Sequence, residues 1–158
     1  MSKNEKTNVG RVLDSKKIQY KTYTYENTGA VSGVEVAKIL GQNPAQVFKT
    51  LVTIGKSKQH YVFVIPVERE LDLKKAAASV GEKNIEMIPQ KELLPLTGYI
   101  HGGCSPIGMK KKYPTWFDET AMLYDEIAVS AGVRGMQIII HPDHLKEFVE
   151  AEYEDVTQ

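Results

Sequence analysis

The chain contains a single cysteine, Cys104, a single tryptophan, and no excess charge of either sign. One cysteine cannot form an intramolecular disulfide, which favours a reducing compartment. A net charge of zero gives no general attraction for DNA. The longest apolar runs, such as YVFVI, are too short to span a bilayer, and the N-terminus MSKNEKTNVG lacks the apolar centre of a signal peptide. We therefore expect a cytoplasmic protein with no membrane or DNA partner.

The rest of the composition is that of an ordinary globular domain, with 42% apolar and 25% charged residues. No internal repeat or long linker is visible, so residues 1–158 are predicted to form one domain. Charge is nevertheless uneven, because residues 1–21 are rich in Lys and residues 143–158 in Asp and Glu. The basic run Lys110–Lys112 follows a Gly/Pro-containing loop. Such a run is either a phosphate-binding patch or a solvated edge.

Periodicity and capping residues predict more strands than helices. Helices are predicted at TNVGRVLDSKKI, GVEVAKIL, LDLKKAAASVG, PQKELLPLTG and PDHLKEFVEA, and strands at QYKTYTYE, KTLVTI, HYVFVI and NIEMI. From Gly98 to the last helix a mixture of strand and loop is predicted, over GYIHGG, SPIGMKK, PTWFDE, EIAVS and MQIIIH. Ser32 and Glu35 predict a capping box, Pro95 is expected to stop its helix, and the loop GKSKQ predicts a hairpin. The predicted fold is α+β: a mixed, mostly antiparallel, barrel-like sheet with flanking helices.

Lys49 is unusual because it lies within the apolar strand AQVFKTLV, beside Phe48 and close to Leu51. Burial of an ammonium costs several kcal/mol unless other groups compensate for it. Lys49 therefore either extends to water or points into a site that receives an anion or a carbonyl oxygen.

The usual signatures of a metal site or of a protein nucleophile are weak. His101, Cys104, His141 and His144 have spacings that could share zinc, but the two pairs are separate and no C-x-x-C or H-E-x-x-H signature is present. Cys104 has no base beside it in sequence, so a buried apolar role is favoured over a nucleophilic one. Ser105 does not lie in a G-x-S-x-G turn. We expect no metal and no organic cofactor.

Two glycine-containing loops, HGGCSPIG (101–108) and SAGVRGMQ (130–137), each follow a predicted strand. Glycine lets backbone N–H groups approach a ligand closely, although each loop alone could be a plain turn. Together with Lys49, Ser130 and Arg134, the loops could hold a carbonyl or a phosphate without supplying a nucleophile.

The motifs YTYE (23–26), VFKTLV (47–52), LDLKKAA (71–77), TGYIHGGCSPIGMKKK (97–112) and VSAGVRG (129–135) occur in that order. In these motifs the chain resembles the YbaK/EbsC family of aminoacyl-tRNA deacylases, which are related to the editing domain of bacterial prolyl-tRNA synthetase. The form GGCSPIGMKKK is similar to the branch that acts on Cys-tRNA(Pro). The resemblance implies an editing-domain fold and trans-editing of Cys-tRNA(Pro), and of Cys-tRNA(Cys).

The resemblance also implies residue roles. Lys49 would polarise the aminoacyl carbonyl, and the substrate's own thiolate would attack that carbonyl to give a thiolactone. Further substrate-binding and tRNA-binding residues are implied: Tyr25, Thr50, Gly102, Gly103, Ser130, Gly132 and Arg134 for the aminoacyl end, and Lys110, Lys111 and Lys112 for the acceptor stem. The implied partners are tRNA and prolyl-tRNA synthetase.

Five positions depart from the family pattern: Ala131 replaces a glycine, Val133 a lysine, Gln137 a frequent aspartate, Cys104 a branched apolar residue and His101 an aliphatic residue. The missing lysine predicts weaker phosphate contact at this loop. Two alternatives stay open: a deacylase for alanyl- or seryl-tRNA that uses water attack, and a non-catalytic module that binds an aminoacyl group or nucleotide.

Overall fold

The computed structural model describes residues 7–25 and 33–158. The α-helices are α1 (Asn8–Ser15), α2 (Gly33–Leu40), α3 (Leu73–Val80), α4 (Leu93–Thr97) and α5 (Pro142–Val149). The strands are β1 (Lys21–Thr24), β2 (Phe48–Gly55), β3 (His60–Pro66), β4 (Ile85–Met87), β5 (Thr115–Asp118), β6 (Ile127–Ser130), β7 (Met136–Ile140) and β8 (Glu152–Glu154). Short 3-10 helices span Pro44–Gln46, Gln90–Glu92 and Glu119–Leu123.

The strands form two sheets, ordered β1-β7-β6 and β4-β2-β3-β5-β8. The first sheet is antiparallel, and in the second only the pairs β3–β5 and β5–β8 are parallel. The prediction of an α+β fold with a mixed, mostly antiparallel sheet is therefore confirmed. The hairpin predicted around GKSKQ is the β2–β3 pair.

β3 is buried along almost its whole length because both faces of the larger sheet are covered. Val62 and Val64 point into one apolar cluster, while Phe63 and Ile65 point into another. The period-2 alternation of a strand thus supplies side chains to two cores. In the antiparallel register, Lys49 lies opposite Ile65 and Thr50 opposite Val64, so these two β2 residues lie on opposite faces.

β2 is paired unequally on its two edges. It pairs with β3 from Phe48 to Ile54, but β4 pairs only with its last three residues, Thr53 to Gly55. The first half of β2 instead approaches the smaller sheet. An isolated parallel bridge joins Val47, the residue before β2, to Ala128 in that sheet. Among the residues that the structure describes, one edge of β2 is therefore unpaired along the half of the strand that contains Lys49.

The barrel-like closure that we predicted is not formed. In the described residues the two sheets remain open, because the isolated Val47–Ala128 contact is the only bridge between them there. Strand β8 was not predicted, since its sequence EYE has no apolar alternation. The proposed capping box on Ser32 lies outside the described residues.

One prediction between residues 90 and 114 was wrong, and the mixture of strand and loop predicted after Gly98 begins with loop. Pro95 does not stop its helix: it occupies the first turn of α4, where its missing N–H is not needed, and the helix ends at Gly98 with φ +86°. GYIHGG and SPIGMKK are not strands but a loop. The Tyr99 hydroxyl donates to the carbonyl of Ile107 and folds this loop back on itself.

No helix in residues 7–25 and 33–158 is long and apolar enough to cross a membrane.

Asp118, at the end of β5, should be a stability determinant. It is 1% exposed, and its carboxylate accepts from the Val156 N–H at 3.2 Å and from the Thr120 hydroxyl at 2.6 Å. Asp118→Ala leaves these donors without their acceptor, so we expect a loss of about 1–3 kcal/mol in the free energy of unfolding, measured by urea denaturation. Asp118→Asn, which keeps one acceptor oxygen, should lose less. Exposed Glu68→Ala serves as the surface control. Equal stability of wild type and Asp118→Ala would contradict the proposed role of Asp118.

Candidate active site

A cavity of about 510 Å³ lies where the open edge of β2 faces β6 and β7. Residues from both faces of β2 reach the cavity because the cavity lies at the edge of that strand. Its lining comprises Tyr25, Gly33, Val34, Val36, Val47, Phe48, Lys49, Thr50, Leu51, Val67, Glu70, Leu93, His101, Gly102, Cys104, Val129, Ser130, Arg134, Met136 and Gln137. Most of these side chains are apolar, with a few convergent polar groups, as in a typical small-molecule site.

Lys49 reaches the cavity as a partly exposed cation, with 30% of its side chain accessible. Its Nζ lies 3.9 Å from Oε1 of Glu70, a carboxylate that is 77% exposed. This separation is at the limit of an ion pair and too long for a hydrogen bond. The ammonium therefore keeps donor capacity for a ligand. The side chain of Lys49 therefore lies at the cavity while remaining partly in contact with solvent.

Thr50, the next residue of β2, also lines the cavity. Its Oγ1 is buried and has no hydrogen-bond partner among the described residues. A buried polar atom without a partner costs about 1–3 kcal/mol, so such atoms are rare unless a ligand or water satisfies them. Because the oxygen is itself buried, its missing partner does not by itself indicate a contact with a ligand in the cavity.

The two glycine loops contact each other across the rim of the cavity. Nε of Arg134 donates to the carbonyl of His101 at 2.9 Å. A Cβ at Gly103 would lie 3.2 Å from backbone atoms of Val133 and Arg134, which is tighter than an ordinary contact. The close approach of the loops therefore depends on Gly103, although Gly103 does not line the cavity.

Ser130 and Gly132 shape the second loop. Ser130 lines the cavity, and its Oγ accepts from the N–H of Gly132 at 3.1 Å. Gly132 has φ +96°, and a Cβ there would lie 3.0 Å from the ring of Tyr99. Gly132 is therefore packed behind the wall of the cavity and is not part of its lining.

Gln137 is held by a neighbour that the sequence pattern did not indicate. Its side-chain amide exchanges two hydrogen bonds with Gln42, at 2.7 and 3.2 Å. The pair is neutral and mutually satisfied, so Gln137 presents no charge to the cavity.

Cys104 is buried, as we predicted, with 9% exposure. Burial raises the pKa of its thiol to about 12, so the thiolate is scarce at neutral pH. Burial likewise raises the pKa of nearby Tyr99 to about 12. Neither group is ionised to act as a nucleophile or base near pH 7.

The run Lys110–Lys112 does not line this cavity. Lys111 and Lys112 border a separate cleft of about 190 Å³. Nζ of Lys112 lies 2.5 Å from Oε2 of Glu150, and Nζ of Lys111 lies 5.9 Å from the ring centroid of Tyr113. All three lysines are exposed.

The structure does not assemble the four residues weighed as zinc ligands. The rings of His141 and His144 are 4.9 Å apart, whereas His101 and Cys104 lie at the cavity. No cluster of three or more His, Cys, Asp or Glu suited to a metal occurs in the part of the chain that the structure describes.

Comparison with known proteins identifies the family. The aminoacyl-tRNA editing domain matches residues 28–148, which is most of the chain. The chain belongs to the aminoacyl-tRNA editing domain family. The resemblance drawn from the FKTL and GGCSP motifs is thereby confirmed.

Individual relatives agree with this assignment. The chain is 44% identical over 154 residues to an Enterococcus faecalis protein that carries the name Cys-tRNA(Pro)/Cys-tRNA(Cys) deacylase EbsC, covering 97% of this chain and 94% of the relative. It is 25% identical over 146 residues to the prolyl-tRNA editing protein ProX of Acetoanaerobium sticklandii, covering 91% and 83%. A solved structure described as a trans-editing enzyme for prolyl-tRNA synthetase has the same fold, with a TM-score of 0.85, 24% identity, and coverage of 98% and 99%.

Within this editing domain, the cavity gathers most of the residues singled out from the sequence. Lys49, Tyr25, Thr50, Gly102, Ser130 and Arg134 line it, whereas Gly103, Gly132 and Lys110–Lys112 do not. Their roles remain predictions. Sequence reasoning missed Glu70, which belongs to a polar loop, and Gln42, which lies 95 residues from its partner Gln137. No local pattern marks either residue.

The thiol of Cys104 should be unreactive in the native editing domain. Near pH 9, the ordinary pKa of a thiol, about half of the unfolded chains carry a thiolate, but few native ones do. A thiol reagent should therefore label the urea-unfolded protein much faster than the native protein. The signal is unambiguous because Cys104 is the only cysteine. Equal labelling rates would contradict the burial argument.

The same raised pKa predicts a pH dependence of stability. The native thiol holds its proton more tightly than the unfolded thiol. Its contribution to the free energy of unfolding is therefore full below about pH 9 and is lost as the pH rises from about 9 towards 12. The free energy of unfolding should fall in that window by at most about 1.4 kcal/mol per pH unit for this group. Cys104→Ala should show a shallower alkaline loss, measured by urea denaturation at several pH values.

Proposed function

We propose that residues 1–158 form one editing domain that removes mischarged cysteine from Cys-tRNA(Pro), and from Cys-tRNA(Cys), in trans. The observation that carries this proposal is a cavity with a lysine ammonium, a glycine-lined rim and, among the residues that the structure describes, a cysteine whose thiol stays protonated. The names of the EbsC and ProX relatives support the substrate class. Cysteine and proline are close in size, so an apolar synthetase pocket discriminates poorly between them and a second site is needed.

Lys49 is the catalytic residue in this proposal because its ammonium can polarise the ester carbonyl. Charge develops on that oxygen as the carbonyl carbon is attacked, and a positioned donor stabilises the developing oxyanion. The long contact to Glu70 supports this role, since it leaves N–H donors of Lys49 available. The backbone of Gly102, at the rim, approaches the same group from the other side.

The nucleophile is supplied by the substrate. The cysteine thiolate attacks its own carbonyl carbon, so a C–S bond forms and the C–O ester bond breaks. The ribose oxygen leaves with the electron pair and takes up a proton that replaces the one lost by the thiol. The products are free tRNA and a four-membered thiolactone, which water then opens to cysteine. The proximity of the thiolate to the carbonyl carbon within the cavity supplies much of the rate acceleration.

The remaining cavity residues bind the rest of the substrate. Tyr25 and Thr50 line the aminoacyl side. Ser130 and Arg134 lie on the loop that would face the terminal adenosine. Arg134 uses Nε to hold His101, which leaves its terminal N–H groups for phosphate.

The tRNA body is recognised outside the cavity. The exposed run Lys110–Lys112 contacts acceptor-stem phosphates, while exposed Val133, which replaces a family lysine, contributes no charge. Selection of tRNA(Pro) comes from a complex with prolyl-tRNA synthetase. The proposed activity belongs to the cytoplasm, where charged tRNA is used.

Replacement of Lys49 tests the catalytic proposal. Lys49→Ala should lower the rate of deacylation of radiolabelled Cys-tRNA(Pro), followed by thin-layer chromatography, by about a hundred- to a thousand-fold, since one donor to an oxyanion is worth roughly 2.7–4 kcal/mol. Lys49→Arg should not restore full activity, because the planar guanidinium cannot occupy the position of the ammonium. Lys49→Met should melt at or slightly above the wild-type temperature, because a partly buried charge is removed from an apolar strand.

The matched control is Lys83→Met, at an exposed lysine outside the cavity, which should retain wild-type activity. Full activity of Lys49→Met would show that Lys49 is only a strand residue with a long side chain. Free cysteine as the first product would contradict the substrate-assisted step and favour water attack. Unchanged ester decay at stoichiometric protein would favour a non-catalytic binding module.

Removal of the basic run tests its binding to the acceptor stem. The triple variant Lys110→Ala, Lys111→Ala, Lys112→Ala should bind tRNA more weakly and with a shallower dependence on salt. The slope of log K against log salt concentration should decrease in magnitude by about one unit for each phosphate that the variant no longer neutralises. Lys112 already pairs with Glu150, so Lys110 and Lys111 should account for most of the change. Lys74→Ala provides an exposed control, and an unchanged slope in the triple variant would assign the run to a solvated edge.

A further inference from the structure

Glu70 has no part in the chemistry described so far, yet it lines the cavity beside Lys49. It is the only carboxylate in the cavity lining within residues 7–25 and 33–158. Its backbone is held in place: its carbonyl accepts from the N–H of Gln158 at 3.0 Å, and the next residue, Leu71, forms a bridge with Thr157. The backbone thus places an exposed carboxylate at one side of a cavity whose other charged lining residues are Lys49 and Arg134.

The spacing of the two charges fits one feature of an aminoacyl ester. The ester carbonyl oxygen and the α-ammonium nitrogen are only three bonds apart, and the first needs a donor while the second needs an acceptor. Nζ of Lys49 and Oε1 of Glu70 are 3.9 Å apart, so they offer a donor and an acceptor side by side. A carboxylate accepts up to about four hydrogen bonds, so Glu70 can contact an ammonium while remaining near Lys49.

We propose that Glu70 binds the α-ammonium of the aminoacyl group and makes the site selective for esters with a free amino group. This inference rests on the proposed function and adds a specificity determinant to it. An N-acylated aminoacyl-tRNA has no positive charge at that nitrogen, so it gains nothing from the carboxylate and leaves the charge of Glu70 uncompensated by substrate. Esters of N-blocked amino acids are therefore rejected, whereas free aminoacyl esters are accepted.

A purely positioning role for Glu70, in which it only orients Lys49, makes a different prediction. Lys49 acts on the carbonyl, which is present in both free and N-acylated esters. Loss of orientation would slow both substrates by the same factor. Loss of ammonium binding slows only the free aminoacyl ester, so the ratio of the two rates separates the roles.

The experiment compares deacylation of cysteinyl-tRNA and N-acetylcysteinyl-tRNA, prepared on the same tRNA, by wild type and Glu70→Gln. Wild type should cleave the free ester faster, and Glu70→Gln should lose roughly 10- to 100-fold on that ester, in line with hydrogen bonds to charged groups. The rate on the N-acetyl ester should be unchanged. Glu68→Gln, with the same change of charge at an exposed residue outside the cavity, should behave as wild type.

Two outcomes would overturn the proposal: an equal loss on both esters, and no loss on either. Failure of Glu70→Gln to fold is not expected, because the side chain is 77% exposed, and its melting temperature checks this. If wild type cleaves neither ester, the proposed function is wrong, but the role of Glu70 is still decided by binding. In that case the affinities for non-cleavable amide analogues, cysteinyl- and N-acetylcysteinyl-3′-amino-3′-deoxyadenosine, should differ in wild type and become similar in Glu70→Gln. Equal affinities in wild type would refute the proposal.

Discussion

The unequal pairing of β2 determines where the candidate site lies. One edge of the strand is bonded to β3 along nearly its whole length, which fixes its position and register. The other edge is bonded to β4 only at its end, and just before β2 an isolated bridge joins Val47 to Ala128 of the smaller sheet. Beyond that bridge β2 and β6 no longer pair, and the cavity fills the space between them. A rigid strand with one open edge thus presents Lys49 and Thr50 together.

The electrostatics of the cavity follow from this geometry. The side chain of Lys49 is 30% accessible, so its ammonium remains partly hydrated and needs no tightly bound counter-ion. Glu70 is close enough to influence the ammonium but too far to occupy its donors. The side-chain amide of Gln137 is satisfied within the wall by that of Gln42. The cavity therefore combines an available donor, an acceptor and an apolar lining.

Local sequence signals predicted the elements that depend on local interactions. The β2–β3 hairpin follows from two apolar runs around a short polar loop, and α3 follows from its cap at Asp72 and its left-handed end at Gly81. The position of Lys49 in an apolar strand identified the candidate site, and the family motifs supplied its roles. Prediction failed where tertiary contacts decide the backbone. The loop from residue 98 to 114 is folded by the Tyr99–Ile107 hydrogen bond, and Glu70 meets Lys49 across 21 residues of chain.

The central claim is that the open edge of β2 binds the aminoacyl end of tRNA, and NMR titration of backbone amides tests it most directly. The ligand is cysteinyl-3′-amino-3′-deoxyadenosine, in which an amide replaces the ester and prevents cleavage. We predict saturable one-to-one binding, with the largest shifts at Thr50, Gly102, Ser130 and Met136, which surround the cavity. Shifts confined to the separate cleft between Lys111 and Phe148, or no saturable binding, would contradict the assignment of the site.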